Sequence, residues 1–224
     1  MNSNLVHSFL ILGIFAFLFI ITDWLLYQKC AIPSKVCRKF LHISSGLLAL
    51  LLPWFITSHW YVLFICGTAF LPLLVGQLLK KFKSIHAIGR TSIGTLVYPV
   101  SVYGCFWVSE FYQSRLLFYF PILILAFADP MAEVVGNKWG KIRIHLGPDH
   151  KTIQGTLAFA LTAFGILLIG LGYLAYDWPH IFVMAGCIAL FTALVEMVST
   201  KGLDNLTIPG AVLLGCYAFQ SWLW

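Results

Sequence analysis

Two acidic side chains, Asp129 and Glu133, lie four residues apart inside an otherwise apolar segment. That spacing puts both carboxylates on one face of a helix. An ionised Asp near the middle of a membrane costs roughly 2.5–3.5 kcal/mol, so the pair indicates a function. Ala132, Gly136 and Gly140 follow almost the same stripe and would let a ligand approach the backbone. We predict that Asp129 and Glu133 bind a metal ion that carries a polyphosphate.

Cations beside these acids, and at two helix starts, predict contacts with phosphate. Lys138 and Lys141 follow the acids directly. The runs Arg90-Thr91-Ser92-Ile93-Gly94-Thr95 and Lys151-Thr152-Ile153-Gln154-Gly155-Thr156 share the order basic, Thr, two residues, Gly, Thr. Helix N-termini present unpaired N–H groups that favour phosphate, although Thr is a common cap and chance is a fair alternative for the likeness. The residues expected to contact phosphate are Arg90, Lys138, Lys141, Lys151, Thr152, Gly136, Gly140 and Gly155.

The start of the second predicted helix carries Arg38, Lys39 and His42. Anchoring at the membrane surface would account for the two cations alone. A histidine inside the apolar boundary favours a function, because its ordinary pKa lies close to working pH. We therefore assign Arg38 and Lys39 to the nucleotide site, and His42 becomes a candidate base.

Further polar residues end the seventh predicted helix. Glu196 lies in its last turns, and Asp204 and Asn205 follow shortly after. A snorkelling acid paired with Lys201 is the alternative for Glu196. We predict that these three residues are further members of the site.

The composition excludes a soluble protein. Of 224 residues, 60% are hydrophobic and 10% are charged, and the mean hydropathy is +0.91. Apolar windows of about 20 residues recur throughout, which is the length that crosses a bilayer. We predict an all-α polytopic membrane protein with about eight transmembrane helices, at Leu5–Tyr27, Leu41–Thr57, Trp60–Leu79, Ile93–Ser109, Leu116–Gly136, Ile153–Ala175, His180–Val198 and Ile208–Trp224.

The predicted helices leave no room for a separate soluble domain. Residues 1–224 are expected to form a single membrane-embedded catalytic domain. Its motif-bearing core spans 38–210, and the helix at 5–27 is expected to be peripheral.

The basic residues set the expected orientation. Of the 14 Lys and Arg residues, only Arg115 falls in an even-numbered loop. By the positive-inside rule the odd loops are cytoplasmic and both termini are non-cytoplasmic. The positive charge therefore predicts no nucleic-acid partner. We expect the cytoplasmic (inner) membrane, with the active site on its cytoplasmic side.

All the unusual polar clusters fall on that one side. Acids there would hold Mg²⁺, which prefers oxygen ligands and shares them with substrate phosphates. Lysines would neutralise the phosphates, and the apolar helices would admit a membrane lipid. The layout predicts phosphoryl or nucleotidyl transfer between a cytosolic nucleotide and a lipid.

These residues resemble the CTP-dependent lipid-alcohol kinases, a family that includes phytol, farnesol and dolichol kinases. Its superfamily also contains the membrane cytidylyltransferases that make CDP-diacylglycerol. The shared core is Asp-x-x-Ala…Gly-x-x-x-Gly-Lys, followed by Lys-Thr/Ser…Gly. In this chain it consists of Asp129, Ala132, Gly136, Gly140 and Lys141, then Lys151, Thr152 and Gly155.

Three details are similar to the kinases in particular. An acid, Glu133, follows Ala132, where the cytidylyltransferases usually carry an aromatic residue. Arg38-Lys39-x-x-His42-x-x-x-Gly46 matches the kinases' amino-terminal motif, and Glu196 with Asp204-Asn205-Leu206-Thr207-x-Pro209 matches the end of phytol-kinase-like members. One departure is Asn137-Lys138, where an Arg commonly follows the first glycine.

The resemblance implies a membrane kinase that transfers the γ-phosphate of CTP to an isoprenoid alcohol such as phytol or geranylgeraniol, with Mg²⁺ as cofactor. His42 or Asp129 would accept the alcohol proton. The first alternative is a cytidylyltransferase that forms a CDP-lipid. A cation- or proton-coupled transporter is the second, but it predicts polar residues through the outer leaflet. Whether the chain forms a homo-oligomer is left open.

Overall fold

The computed structural model describes residues 3–78, 93–146, 149–173 and 177–220. Within these ranges the chain is a helical bundle with one short antiparallel hairpin. The elements are α1 (Ser3–Ile20) continuing as a π-helix (Ile21–Lys29), α2 (Ser34–Ala49), α3 (Leu52–Phe55), α4 (His59–Leu78), α5 (Gly94–Phe111), α6 (Leu116–Leu123) continuing through a π-helical segment (Ile124–Ala128) into α7 (Asp129–Trp139), β1 (Arg143–Leu146), β2 (Asp149–Thr152), α8 (Ile153–Tyr173), α9 (Trp178–Val198) and α10 (Asp204–Ala218).

The fold class predicted from the sequence is confirmed. The described residues contain six helical spans that are long and apolar enough to cross a membrane, at Ser3–Lys29, Ser34–Phe55, His59–Leu78, Leu116–Trp139, Ile153–Tyr173 and Trp178–Val198. Large apolar side chains such as Phe17 and Ile169 are exposed on the outside of the bundle, as lipid contact requires. The protein is therefore a multi-pass, all-α membrane protein.

Two helices of the described chain fall short of a typical span, so the count of eight stays a prediction. α5 carries polar side chains, among them Ser101 and Glu110, and α10 is only 15 residues long. A transmembrane helix usually needs about 20 apolar residues.

Several helices start or end beyond the predicted apolar segments. α2 begins at Ser34 rather than Leu41, and α10 begins at Asp204 rather than Ile208. The segment predicted to end at Gly136 instead continues through α7 to Trp139. Hydropathy marks where a helix leaves the apolar layer, and these extra turns carry the polar residues of the site.

Two apolar cores lie side by side in the bundle. One gathers residues of α6 to α10, including Phe159 and Ile188. The other gathers residues of α1 to α6, including Val62 and Phe118. Tyr98, on α5, packs against both cores. The boundary between the cores is where polar groups can be held without disrupting either one.

Glycines allow α7 and α8 to pack very closely. A Cβ atom on Gly155 would lie 2.8 Å from the carbonyl oxygen of Ala132 and 3.3 Å from Cα of Gly136. The Thr152 hydroxyl caps α8 by accepting a hydrogen bond from the Gly155 N–H at 3.0 Å. This close contact holds the acidic helix α7 against the start of α8.

A proline shapes the turn before the acids. In a π-helix each backbone carbonyl accepts a hydrogen bond from the N–H of the residue five positions later. For Leu125 that residue is Pro130, which has no N–H. The Leu125 carbonyl accepts a hydrogen bond from His42 Nε2 at 2.9 Å. The irregular turn thereby joins α2 to the chain that leads into Asp129.

The hairpin was not predicted from the sequence. Arg143 pairs with Thr152, and Ile144 pairs with Lys151. The pairing places Lys151 immediately before the start of α8. A four-residue strand between two long helices gives too short a periodic signal to be recognised in the sequence.

Gly155→Ala should destabilise the fold, because the added methyl group meets backbone atoms that cannot move aside. Overpacking of this kind costs about 1–3 kcal/mol. Gly165→Ala, on the same helix with nothing within 4 Å of the new methyl group, is the matched control and should be neutral or stabilising. Thermal unfolding in detergent measures both, and equal melting temperatures would contradict the packing role.

Candidate active site

One large cavity lies between the two cores, with a volume of about 1270 Å³. Polar side chains gather at the end near α7 and the starts of α2, α8 and α10, and apolar side chains line the rest. Thirteen of the predicted site residues border it, namely Arg38, Lys39, His42, Asp129, Glu133, Gly136, Gly140, Lys151, Thr152, Gly155, Glu196, Asp204 and Asn205.

Glu133 faces two cations of α2. Its carboxylate oxygens lie 3.8 Å from the Arg38 guanidinium and 3.6 Å from Lys39 Nζ. The Arg38 side chain is 42% exposed, so this pairing contributes less than about 1 kcal/mol to stability. Its importance is geometric, because it turns the two cations toward the acidic helix and the cavity.

Lys151 and Glu196 form an ion pair on the opposite wall. The Lys151 side chain is 18% exposed and the Glu196 side chain 3%. Burial is the largest single influence and lowers the pKa of Lys151, but the neighbouring carboxylates of Glu196, Asp204 and Asp129 together outweigh it and raise that pKa above its ordinary value. Lys151 is therefore a fixed positive charge at the cavity wall.

Asp129 lies between these two pairs. Among the described residues it makes no hydrogen bond and no ion pair, although it interacts electrostatically with Lys151, Glu196, Asp204 and Glu133. Its carboxylate is half-buried and borders the cavity. Its carboxylate is therefore open to a ligand in the cavity.

His42 is held by the bond from its Nε2 atom to the Leu125 carbonyl. A carbonyl only accepts, so Nε2 carries the hydrogen and the neutral ring has its lone pair on Nδ1. The ring also packs edge-on against Tyr98, with 5.6 Å between centroids. This histidine is oriented, as a proton acceptor must be.

The acids fit a magnesium ion that is shared with a ligand. No group of three or more His, Cys, Asp and Glu side chains in the described chain forms a ready metal cage. The buried Glu196 Oε2 atom has no hydrogen-bond partner among the described residues, and the Asp129 carboxylate makes no ion pair with them. Mg²⁺ typically takes one or two protein carboxylates and completes its shell with water and substrate phosphates.

Other predicted residues have visible structural roles beside the cavity. A Cβ atom on Gly140 would lie 2.6 Å from the Thr152 side chain, so this glycine is needed for packing as well. The Asn205 side-chain amide donates to the Gly94 carbonyl at 2.9 Å and ties α10 to the start of α5. The Asp204 carboxylate accepts from the Asn205 backbone N–H at 2.9 Å.

Three predicted phosphate contacts are not among the cavity-lining residues. Lys138 is exposed, with Nζ 4.7 Å from the Trp139 ring centroid. The Lys141 backbone N–H donates to Gln154 Oε1 at 3.1 Å, and its side chain is exposed. Arg90 lies outside the described residues. Phosphate contacts by these three residues stay predictions.

The structure also adds residues that we did not predict from the sequence. Arg143, Gln77, Tyr98 and Thr156 border the cavity. The Gln77 amide oxygen and the Tyr98 and Thr156 hydroxyls are buried without a hydrogen-bond partner among the described residues. Gln77 could have been recognised in the sequence, because a Gln is unusual in an apolar helix. Tyr98 could not, because a Tyr among apolar residues is common at membrane surfaces.

Comparison with known proteins identifies the family. A phytol kinase from Synechocystis sp. is 31% identical over 211 residues, which is 91% of this chain and 88% of that protein. The chain belongs to the lipid-alcohol kinase family. The kinase resemblance seen in the motifs is thereby confirmed, and the protein is a lipid-alcohol kinase, an enzyme embedded in a membrane.

More distant lipid-alcohol kinases match as well. Phytol kinase 1, chloroplastic, from Arabidopsis thaliana is 25% identical over 215 residues, covering 86% of this chain and 69% of that protein. A dolichol kinase from Schizosaccharomyces pombe is 28% identical over 184 residues, 76% of this chain and 33% of that protein. No protein-family model matches the chain. No solved structure matches it either.

Lys151→Met in this kinase should be strongly destabilising, because it leaves the Glu196 carboxylate buried without its cation. Breaking a buried pair from one side costs about 3–5 kcal/mol, and replacing both partners costs much less. The double variant Lys151→Met/Glu196→Met should therefore melt above Lys151→Met alone. Thermal unfolding in detergent measures this cycle.

A control and a pH series complete the test. Asp177→Ala removes an exposed partner of His180 and should change stability little. Because the pKa of Lys151 is raised, the pair's contribution is complete below the ordinary lysine pKa of about 10.4 and is lost as pH rises through the raised value. If the double variant melts no higher than Lys151→Met, the cost of Lys151→Met does not come from leaving Glu196 without its cation.

Proposed function

We propose that this kinase transfers the γ-phosphate of CTP to the hydroxyl of an isoprenoid alcohol, with phytol, geranylgeraniol or a similar prenol as acceptor. The observation that carries the proposal is one cavity whose polar end holds Asp129 between two charged pairs and whose other end is apolar. Family membership supports a nucleotide donor and a lipid alcohol acceptor. The choice of CTP comes from the resemblance.

At the polar end, cations would hold the phosphates. Lys151, Arg38 and Lys39 border the cavity, and each is paired with a carboxylate that a phosphate would replace or share. Asp129 and Glu133 would hold Mg²⁺, and the unpartnered oxygen of Glu196 makes it a third candidate. The ion would offset the negative charge of the phosphate chain.

The reaction needs one proton acceptor. The alcohol oxygen forms a bond to the γ-phosphorus, the bond from that phosphorus to its bridging oxygen breaks, and CDP leaves with the electron pair. The alcohol proton passes to His42 Nδ1 or to the Asp129 carboxylate, both of which border the cavity. The rest of the catalysis consists of positioning and charge stabilisation.

The proposal treats residues 1–224 as one catalytic domain. The basic residues favour a site that opens to the cytoplasmic side of the cytoplasmic membrane. That orientation would give a cytosolic nucleotide access to the polar end and a membrane lipid access to the apolar end.

Purified protein in detergent should convert CTP and a prenol into CDP and a prenyl monophosphate. Radiolabelled CTP and ATP, each offered with phytol, geranylgeraniol and farnesol, identify the donor and acceptor. Pyrophosphate and a CDP-lipid would identify a cytidylyltransferase instead. Label that stays in unreacted CTP with every acceptor would reject the proposal.

Asp129→Asn should lower kcat at least about a hundredfold while the protein remains folded, because the amide cannot accept the proton or balance a cation. Asp177→Asn, an exposed acid away from the cavity, is the matched control and should keep its activity. Turnover is measured with saturating CTP and a magnesium series, and again with excess chelator. Residual activity near wild type in Asp129→Asn would remove this residue from the mechanism.

A further inference from the structure

The cavity extends well beyond the charged residues. Its apolar part, which we call the apolar arm, is bordered by Ile11 and Phe15 of α1, Ala49 of α2, Leu52 of α3, Ile65 of α4 and Val102 of α5. Helix α1, expected from the sequence to be peripheral, thus forms one wall. Four of these residues, Ile11, Leu52, Ile65 and Val102, are buried members of the core formed by α1 to α6.

The cavity is larger than a usual pocket for one small ligand. Pockets for a single small ligand commonly measure about 300–1,000 Å³, and this cavity measures about 1270 Å³. Packed protein interiors contain few voids larger than a water molecule. A polar end for a nucleotide and an apolar arm for a hydrocarbon chain together account for its volume and for its uneven lining.

A polar group marks the junction between the two parts. The Tyr98 hydroxyl is buried and has no hydrogen bond of normal geometry among the described residues. The neighbouring Ser45 hydroxyl donates to the Leu41 carbonyl at 2.6 Å. The His42 ring packs edge-on against the Tyr98 ring. A buried hydroxyl without a partner is costly, so this position favours a ligand that supplies one.

We propose that the apolar arm binds the hydrocarbon chain of the acceptor alcohol, with the alcohol hydroxyl near Tyr98 and His42. The buried residues Ile11, Leu52 and Val102 then form a floor that limits chain length. This inference rests on the proposed function and names the part of the site that selects the substrate.

Kinetics with alcohols of different length test the floor. Val102→Phe fills it, since Val102 is 4% exposed on the cavity wall, and Val100→Phe on the same helix is the matched control, at 51% exposed. The ratio of kcat/KM for geranylgeraniol to that for geraniol should fall about tenfold or more in Val102→Phe and stay unchanged in Val100→Phe. Leu52→Ala deepens the floor and should raise the ratio.

A second readout does not depend on turnover. A geranylgeraniol analogue with a diazirine at the end of its chain is photolysed with the wild-type protein without nucleotide. Adducts are expected on peptides that contain Ile11 to Phe15 or Ile65, and unlabelled geranylgeraniol should compete with them. Adducts confined to the lipid-facing surface around Val100 would overturn the apolar arm as the chain site.

The outcomes separate this inference from the proposed function. A wild-type protein that phosphorylates prenols, with the same length preference in all three variants, would overturn the apolar arm and leave the kinase proposal intact. Competed adducts in the arm without phosphorylation of any alcohol would overturn the proposed activity and leave the chain site. If Val102→Phe does not fold, the length preference of Leu52→Ala and the positions of the photolabelling adducts test the apolar arm instead.

Discussion

Carboxylates inside a membrane protein are costly unless cations lie beside them, and this constraint organises the polar site. Glu133 on α7 is met by Arg38 and Lys39 from α2. Glu196 on α9 is met by Lys151 from the hairpin. Elements far apart in sequence are therefore drawn to one place, and the boundary between the two apolar cores is where the charges cost least.

Close packing and an irregular turn then set the position of the remaining acid. Gly155 lets α8 touch the backbone of α7 beside Ala132, so Asp129 is held at a fixed depth. Pro130 removes one helical donor, and His42 donates to the Leu125 carbonyl in the turn before it. The same features that stabilise the helices thus orient the His42 ring and leave the Asp129 carboxylate without an ion pair among the described residues.

Much of this could be predicted from the sequence, because polar residues in apolar segments carry a strong signal. Asp129, Glu133, His42, Lys151 and Glu196 all border one cavity, as the motifs suggested. Pairings across the fold could not be predicted, since no local pattern links Lys151 to Glu196 or His42 to Leu125. The hairpin was missed because strands of four residues have no distinctive periodicity.

The buried pair also bears on how the enzyme would tell ligands apart. Lys151 has a carboxylate partner, so an anion that displaced Glu196 would gain only the difference between two ion pairs. Under the proposed function, a nucleotide bound with a divalent cation would offer the displaced Glu196 a new partner, whereas inorganic phosphate would leave that carboxylate buried without one. Inorganic phosphate would then be a weak competitor of the nucleotide.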